Sequence, residues 1–171
     1  MVTDRAADTD LAPGPLRLVQ SLANTRTESA DLLETRDQAV SWLRAAGVLP
    51  DDAVITGSEH GALQRLRDAL RDMLAAHAGG MADTDAAARL TRGLADGRLV
   101  VTVDQASMIG LASGARAPYS SVVAAFAAAV AESAAAKTWR QLKTCTAAGC
   151  GTAFYDGSPD TSLRRCAAHA G

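Results

Sequence analysis

Aromatic residues are scarce in this chain: two Trp, two Tyr and two Phe among 171 residues. So few rings support a sheet sandwich poorly, and the abundant Ala and Leu suit packed helices instead. Cysteine is also rare, and its count of three argues against a disulfide framework and for metal ligands or free thiols. Residues 1–12 hold Asp4, Asp8 and Asp10 but no apolar leader. The longest apolar run, Val122 to Ala131, is too short to cross a membrane. A soluble, cytoplasmic protein without a membrane partner is expected. Glycine-rich phosphate loops are missing, and Asp104, Ser107 and the histidines fall into no catalytic spacing, so the sequence leans away from an enzyme.

The formal net charge of −2 is unhelpful to a general nucleic-acid binder, but charge is unevenly spread. From Lys137 onward, Lys137, Arg140, Lys143, Arg164 and Arg165 stand against Asp156 and Asp160. That segment is +3 and everything before it −5. A mildly basic tail on an acidic body permits a phosphate-facing surface.

Periodicity predicts a mainly α fold: a helical bundle with one β-hairpin and a small C-terminal zinc-binding finger. Residues 1–15, acidic and closed by Pro13-Gly14-Pro15, read as a disordered arm. Leu16, Val19, Leu22 and Ala23 open the first helix. A second is expected from Thr35 to Ala46, with Thr35 or Asp37 as cap and Gly47 as stop. Leu63, Leu66, Leu70, Met73, Leu74 and His77 predict a long helix over Ser58–His77, with Arg65, Arg67, Asp68, Arg71 and Asp72 on the opposite, polar face. Another helix is expected over Asp83–Ala95, capped by Asp83 or Thr84. The period then changes, and a hairpin is expected near 98–111. Pro118 opens an Ala-rich helix expected to run to about Gln141 and lead directly into Cys145. The domain reading is therefore an arm over 1–15, a helical domain over 16–141 and a finger over 142–171.

All three cysteines lie in the last thirty residues: Cys145, Cys150 and Cys166, with His169 just beyond. Cys145 and Cys150 form a C-x4-C pair with Gly149 before the second thiol. Cys166 and His169 form a C-x2-H pair that closes a site from one turn of chain. Three thiols and an imidazole match a four-coordinate zinc ion and leave no position for a substrate water, so the metal is read as structural. It also accounts for order in a segment with little else to bury.

The residues around these ligands resemble the CGNR zinc-finger family, which joins an N-terminal helical ABATE domain to a C-terminal finger. Phe154-Tyr155-Asp156-Gly157-Ser158-Pro159-Asp160-Thr161-Ser162-Leu163-Arg164-Arg165-Cys166 follows the finger pattern without a gap. Asn24-Thr25-Arg26 and Trp42-Leu43-Arg44-Ala45-Ala46-Gly47 resemble early segments of the helical domain. The family's fourth cysteine would fall at Gly171, so His169 substitutes for it, and Arg165 stands where an aromatic is usual. The tetrad that names the family, with the basic run that follows it, is missing from this sequence. The resemblance implies a stress-induced transcription regulator.

Within that frame Lys143, Arg164 and Arg165 are candidate DNA contacts, with one arginine expected to be exposed and the other to pair with Asp156 or Asp160. Lys143 and Arg140 either extend that patch or complement a helix C-terminus. Asn24, Thr25 and Arg26 either shape a turn or line a pocket in which Asn24 and Arg26 read a ligand. His77 is expected to be packed or capping. Trp42 and Trp139 are expected as core or interface anchors, Trp139 joining the long helix to the finger. Three roles follow. The first is a regulator whose finger binds DNA or a protein partner. The second is a protein or enzyme that takes a small-molecule effector in its helical domain, with zinc purely structural. The third is an interaction module that forms a homodimer through the Ala-rich helix around Phe126.

Overall fold

The structure, a computed structural model, describes residues 10–81 and 84–170. Five helices make the body: α1 (Leu16–Ala23), α2 (Arg36–Ala45), α3 (Gly57–His77), α4 (Thr84–Ala95) and α5 (Pro118–Ala135). A hairpin of β1 (Leu99–Val103) and β2 (Ile109–Ser113) separates α4 from α5. A second small antiparallel pair, β3 (Leu142–Thr144) and β4 (Ala153–Tyr155), belongs to the finger.

Local signals set most boundaries. Thr35 and Thr56 each accept a hydrogen bond from the third residue of their helix, while Gln38 and Glu59 reach back to the cap amide. These capping boxes satisfy donors that a helix start leaves open. Asp83, the other expected cap of α4, lies outside the described residues. The hairpin is antiparallel with Val103 opposite Ile109, and its second strand starts two residues after the expected position. Asp104 holds the connecting turn by accepting from the amides of Ala106 and Met108, and Ser107 adopts φ +61°.

The Ala-rich helix stops well before Gln141. Lys137 turns left-handed at φ +61°, and the Lys137 and Thr138 amides donate back to Ala134 and Ser133 at 3.1 and 2.8 Å. This is the hydrogen-bond pattern of a Schellman stop, with lysine in the position glycine usually fills. A single 3₁₀ turn, Trp139–Gln141, then leads into β3.

Leu22, Leu43, Leu63, Leu70, Val122 and Phe126 are among the fully buried residues of one continuous core. Phe126, expected on a dimer face, is instead 0% exposed and stacks on Trp42 at a centroid distance of 6.5 Å. Arg67, expected on the polar face of α3, is only 2% exposed and forms an ion pair with Asp31 at 2.5 Å. Of the arm expected over 1–15, residues 1–9 lie outside the described residues. Asp10 to Pro15 are placed against the body: Ala12 is buried, and Gln20 accepts its amide at 2.7 Å while donating to the Asp10 carbonyl. Among the described residues no helix is long and apolar enough to cross a membrane.

Candidate metal centre

The cysteine knuckle of the finger begins at the end of β3. After Thr144 the chain makes a tight knuckle: the Cys150 amide donates to Ala147 at 3.1 Å, and the Cys145 amide donates to Thr152 at 2.8 Å. Gly149 and Gly151 flank Cys150 with φ of +77° and +56°, values that a side chain would strain. This backbone turns both thiols of the C-x4-C pair to one side. Beyond β4 and a loop, Cys166 starts a 3₁₀ turn in which the His169 amide donates to the Cys166 carbonyl at 2.8 Å. That turn brings the imidazole back over its own thiol.

The four side chains expected as ligands therefore converge. Their donor atoms lie within 4.8 Å of one another, and all three cysteines are free. Cys150 Sγ is 3.8 Å from Cys166 Sγ. His169 Nδ1 is 3.3 Å from Cys166 Sγ and 3.8 Å from Cys145 Sγ. Metal–sulfur and metal–nitrogen bonds of about 2.3 and 2.05 Å at tetrahedral angles imply edges of about 3.8 Å between sulfurs and about 3.6 Å from sulfur to nitrogen. The observed separations bracket those edges, so the group can hold a metal ion.

The thiols of the cluster respond unequally to burial and to one another. Burial, reinforced by the neighbouring Cys145 and Cys150 sulfurs, pushes the Cys166 thiol up to about 12. For Cys150 burial also opposes ionisation, but hydrogen bonds from Thr152 outweigh it and bring that thiol below its ordinary value. A bound cation would reverse the balance at Cys166 by stabilising its thiolate. Cys145 and Cys166 are buried against Phe154, which is 0% exposed, while His169 closes the group from the solvent side.

Lys143 does not face solvent. It is 3% exposed, and its ammonium donates to Asp156 Oδ2 at 2.6 Å and to the carbonyls of Thr161 and Leu163 at 2.6 and 3.0 Å. Those three bonds use all of its protons, which leaves none for a phosphate. Asp156, itself 0% exposed, also accepts from the Ser158 and Leu163 amides at 3.0 Å each. Burial would raise this carboxyl, but Lys143 and Ser158 hold it below the usual range. The partner of Asp156 is thus Lys143, where an arginine from 164–165 was the expectation.

Arg164 and Arg165 are both exposed. The Arg164 guanidinium lies over Gly79 at the end of α3, where an added Cβ would meet its Cζ at 3.2 Å. Asn24 and Arg26, expected as ligand readers, have other work. Asn24 donates to the Ala153 carbonyl at 2.9 Å and accepts the Ala153 amide at 2.7 Å, so it pairs with the outer edge of β4 as a strand would. Arg26 is more than half exposed and lies 3.9 Å from Asp68, and its carbonyl accepts from Arg71 at 3.1 Å.

Several residues that position the site were not singled out from the sequence. The Asp10 carboxylate accepts the Ala167 amide at 2.9 Å, and its carbonyl accepts the Tyr155 amide. Arg71 donates to the Ala23 carbonyl at 2.7 Å and fills the space an added Cβ on Gly151 would need. His77, as expected, is packed: Trp139 meets it edge-on at 5.1 Å. It bonds the Leu142 carbonyl at 2.9 Å, and burial lowers its pKa. For Arg67 a signal existed, since it lies four residues after Leu63 and three before Leu70 on the apolar stripe.

Fold and site together define a helical domain that carries at its C-terminal end a small Cys3His cluster able to hold a metal ion. A family model spanning residues 16–141, ABATE, described as "Putative stress-induced transcription regulator", matches the chain. The chain belongs to that family. No curated protein matches the chain.

Proposed function

We propose that this protein is a transcription regulator whose helical body presents a zinc-loaded, CGNR-type finger to DNA. The observation that carries this reading is the placement of four donors at tetrahedral spacing directly beside two exposed arginines. All four positions of the ion are filled by protein, so zinc acts as a clip. Arg164 and Arg165 then stand on a metal-fixed turn and contact phosphate, with Lys143 buried beneath them as part of the frame. Such a regulator works in the cytoplasm.

Two phosphate contacts give a shallow salt dependence, with log affinity falling against log salt with a slope of about −2. The test has two arms. Metal analysis of protein purified without chelator should give one zinc per chain, lost in Cys145→Ser and weakly held in His169→Ala. Fluorescence anisotropy with labelled genomic fragments at low salt should show binding that chelation and Arg164→Ala/Arg165→Ala both abolish. Zinc binding without any DNA binding would leave the metal clip standing and remove the regulator.

A further inference from the structure

A polar concavity lies far along the chain from the finger, between α3, α4 and the start of α5. Two grooves of about 390 and 480 Å³ meet at Ala62 and Asp96. Each volume is within the range of small-molecule sites. Arg65 and Arg92 line the first, and Arg98, Tyr119 and Ser120 line the second. Arg89 also borders the first but is held by Asp72 and Asp85. Among the described residues Arg65, Arg92 and Arg98 have no ion-pair partner.

Tyr119 stands at the junction of ring and groove. The residue is 6% exposed, its hydroxyl has no hydrogen-bond partner among the described residues, and that hydroxyl stays open to the groove. The ring is thus held in the core while its polar tip is left for a ligand. It faces the second groove, within the fields of Asp96, Glu59 and Arg65. Glu59 is committed to the Thr56 cap at 2.7 Å, which leaves the Asp96 carboxylate as the groove's open acceptor.

The start of α5 adds donors. Its cap residue, Ala117, offers no side-chain bond, and Pro118 has no amide hydrogen. The Ser121 amide turns back to the Ala117 carbonyl. The Tyr119 and Ser120 amides therefore point out of the helix start without partners among the described residues, in the arrangement that attracts anions.

We propose that this groove binds a small organic anion that also carries hydroxyl groups. Arg98 and the free amides of α5 hold the anionic group, while Asp96 and the Tyr119 hydroxyl take the ligand's hydroxyls. The anion is a phosphate or a carboxylate, and the two sources are separated by the probes. This site is independent of the metal and of DNA.

The test is calorimetric titration of the full, metal-loaded chain with ribose 5-phosphate and with gluconate, beside ribose and inorganic phosphate alone. One of the two hydroxylated anions should bind saturably at one per chain, at least tenfold more tightly than ribose or phosphate. Arg98→Ala should weaken it at least tenfold, and Tyr119→Phe at least threefold without lowering Tm. Arg17→Ala, remote and exposed, should change nothing. The proposal is overturned if neither hydroxylated anion binds, or if affinity survives Arg98→Ala. A lower Tm in Tyr119→Phe would also overturn it, because the hydroxyl would then serve the fold. None of these results touches the DNA reading, which is measured separately.

Discussion

Lys143→Met removes one ammonium group and tests whether this lysine belongs to the frame or to a surface. The side chain is 3% exposed and its partner Asp156 is 0% exposed, so no water replaces the lost cation. Asp156 keeps its bonds from the Ser158 and Leu163 amides, but the carbonyls of Thr161 and Leu163 lose theirs. Breaking a buried pair from one side costs about 3–5 kcal/mol, a large share of a domain's total stability of about 5–15 kcal/mol. With a urea m-value of about 2 kcal/mol per molar, the midpoint should fall by roughly 1.5–2.5 M. Trp139 fluorescence is a suitable probe because this ring packs on His77 beside β3. Release of a metal ion loaded into the cluster, followed with a chelating dye, should speed up in parallel, since the loop between Asp156 and Cys166 loses its anchor. Replacing both partners by apolar residues of similar size should recover part of the loss. The reasoning fails if Lys143→Met unfolds at the wild-type midpoint while DNA affinity drops. That outcome would return Lys143 to the surface.

Three further perturbations probe the body. An added Cβ on Gly97 would sit 2.7 Å from the Ala124 nitrogen and 2.8 Å from its Cα. Gly97→Ala should therefore cost about 1–3 kcal/mol through displacement of α5, and an unchanged Tm would contradict the packing. Phe126→Leu should cost about 1 kcal/mol and leave the molar mass by light scattering unaltered, whereas a fall in mass would put Phe126 back at an interface. Burial alone would raise the Asp31 pKa, but the hydrogen bond from Arg67 and the Leu33 amide hold it below its ordinary value. A depressed carboxyl stabilises the fold above the unfolded aspartate pKa of about 4 and loses that contribution as pH falls through the folded value. Asp31→Asn should thus cost about 3 kcal/mol at pH 7, with the gap to wild type narrowing between pH 5 and 3 in acid-denaturation curves. A constant gap would mean that the pair does not titrate as described.

The Cys3His cluster was legible because metal-site chemistry depends on residue type and spacing alone. The helix start at Thr35 was nearly as readable, since a capping box is a local pattern, whereas the equally local box at Thr56 was not singled out and the helix was expected from Ser58. What stayed hidden depended on partners distant in sequence. Lys143 looks like a surface cation until Asp156, thirteen residues on, is placed against it. The early stop of α5 was illegible for another reason: lysine at a left-handed position carries no glycine signal. Arg67 combines a charged side chain with a position on the apolar stripe, and there position rather than residue type decides burial.

Asn24 shows why a polar cluster in a helical domain need not be a binding pocket. Only three residues long, β4 pairs with β3 on one edge and leaves its other edge facing the body. Ala153 is 1% exposed, so its amide and carbonyl cannot turn to water and must find partners in protein. Asn24 supplies a donor and an acceptor on one rigid amide, and Gln20 adds a second donor to the same carbonyl at 3.1 Å. Aspartate would offer no donor, and serine would not span both groups. The same logic explains Arg71, which ties the carbonyls of Ala23 and Arg26 and closes over the knuckle at Gly151. The segment that looked most like a ligand reader is the clasp that fixes the metal knuckle to the helices. The knuckle and the helical body are therefore joined through Ala153.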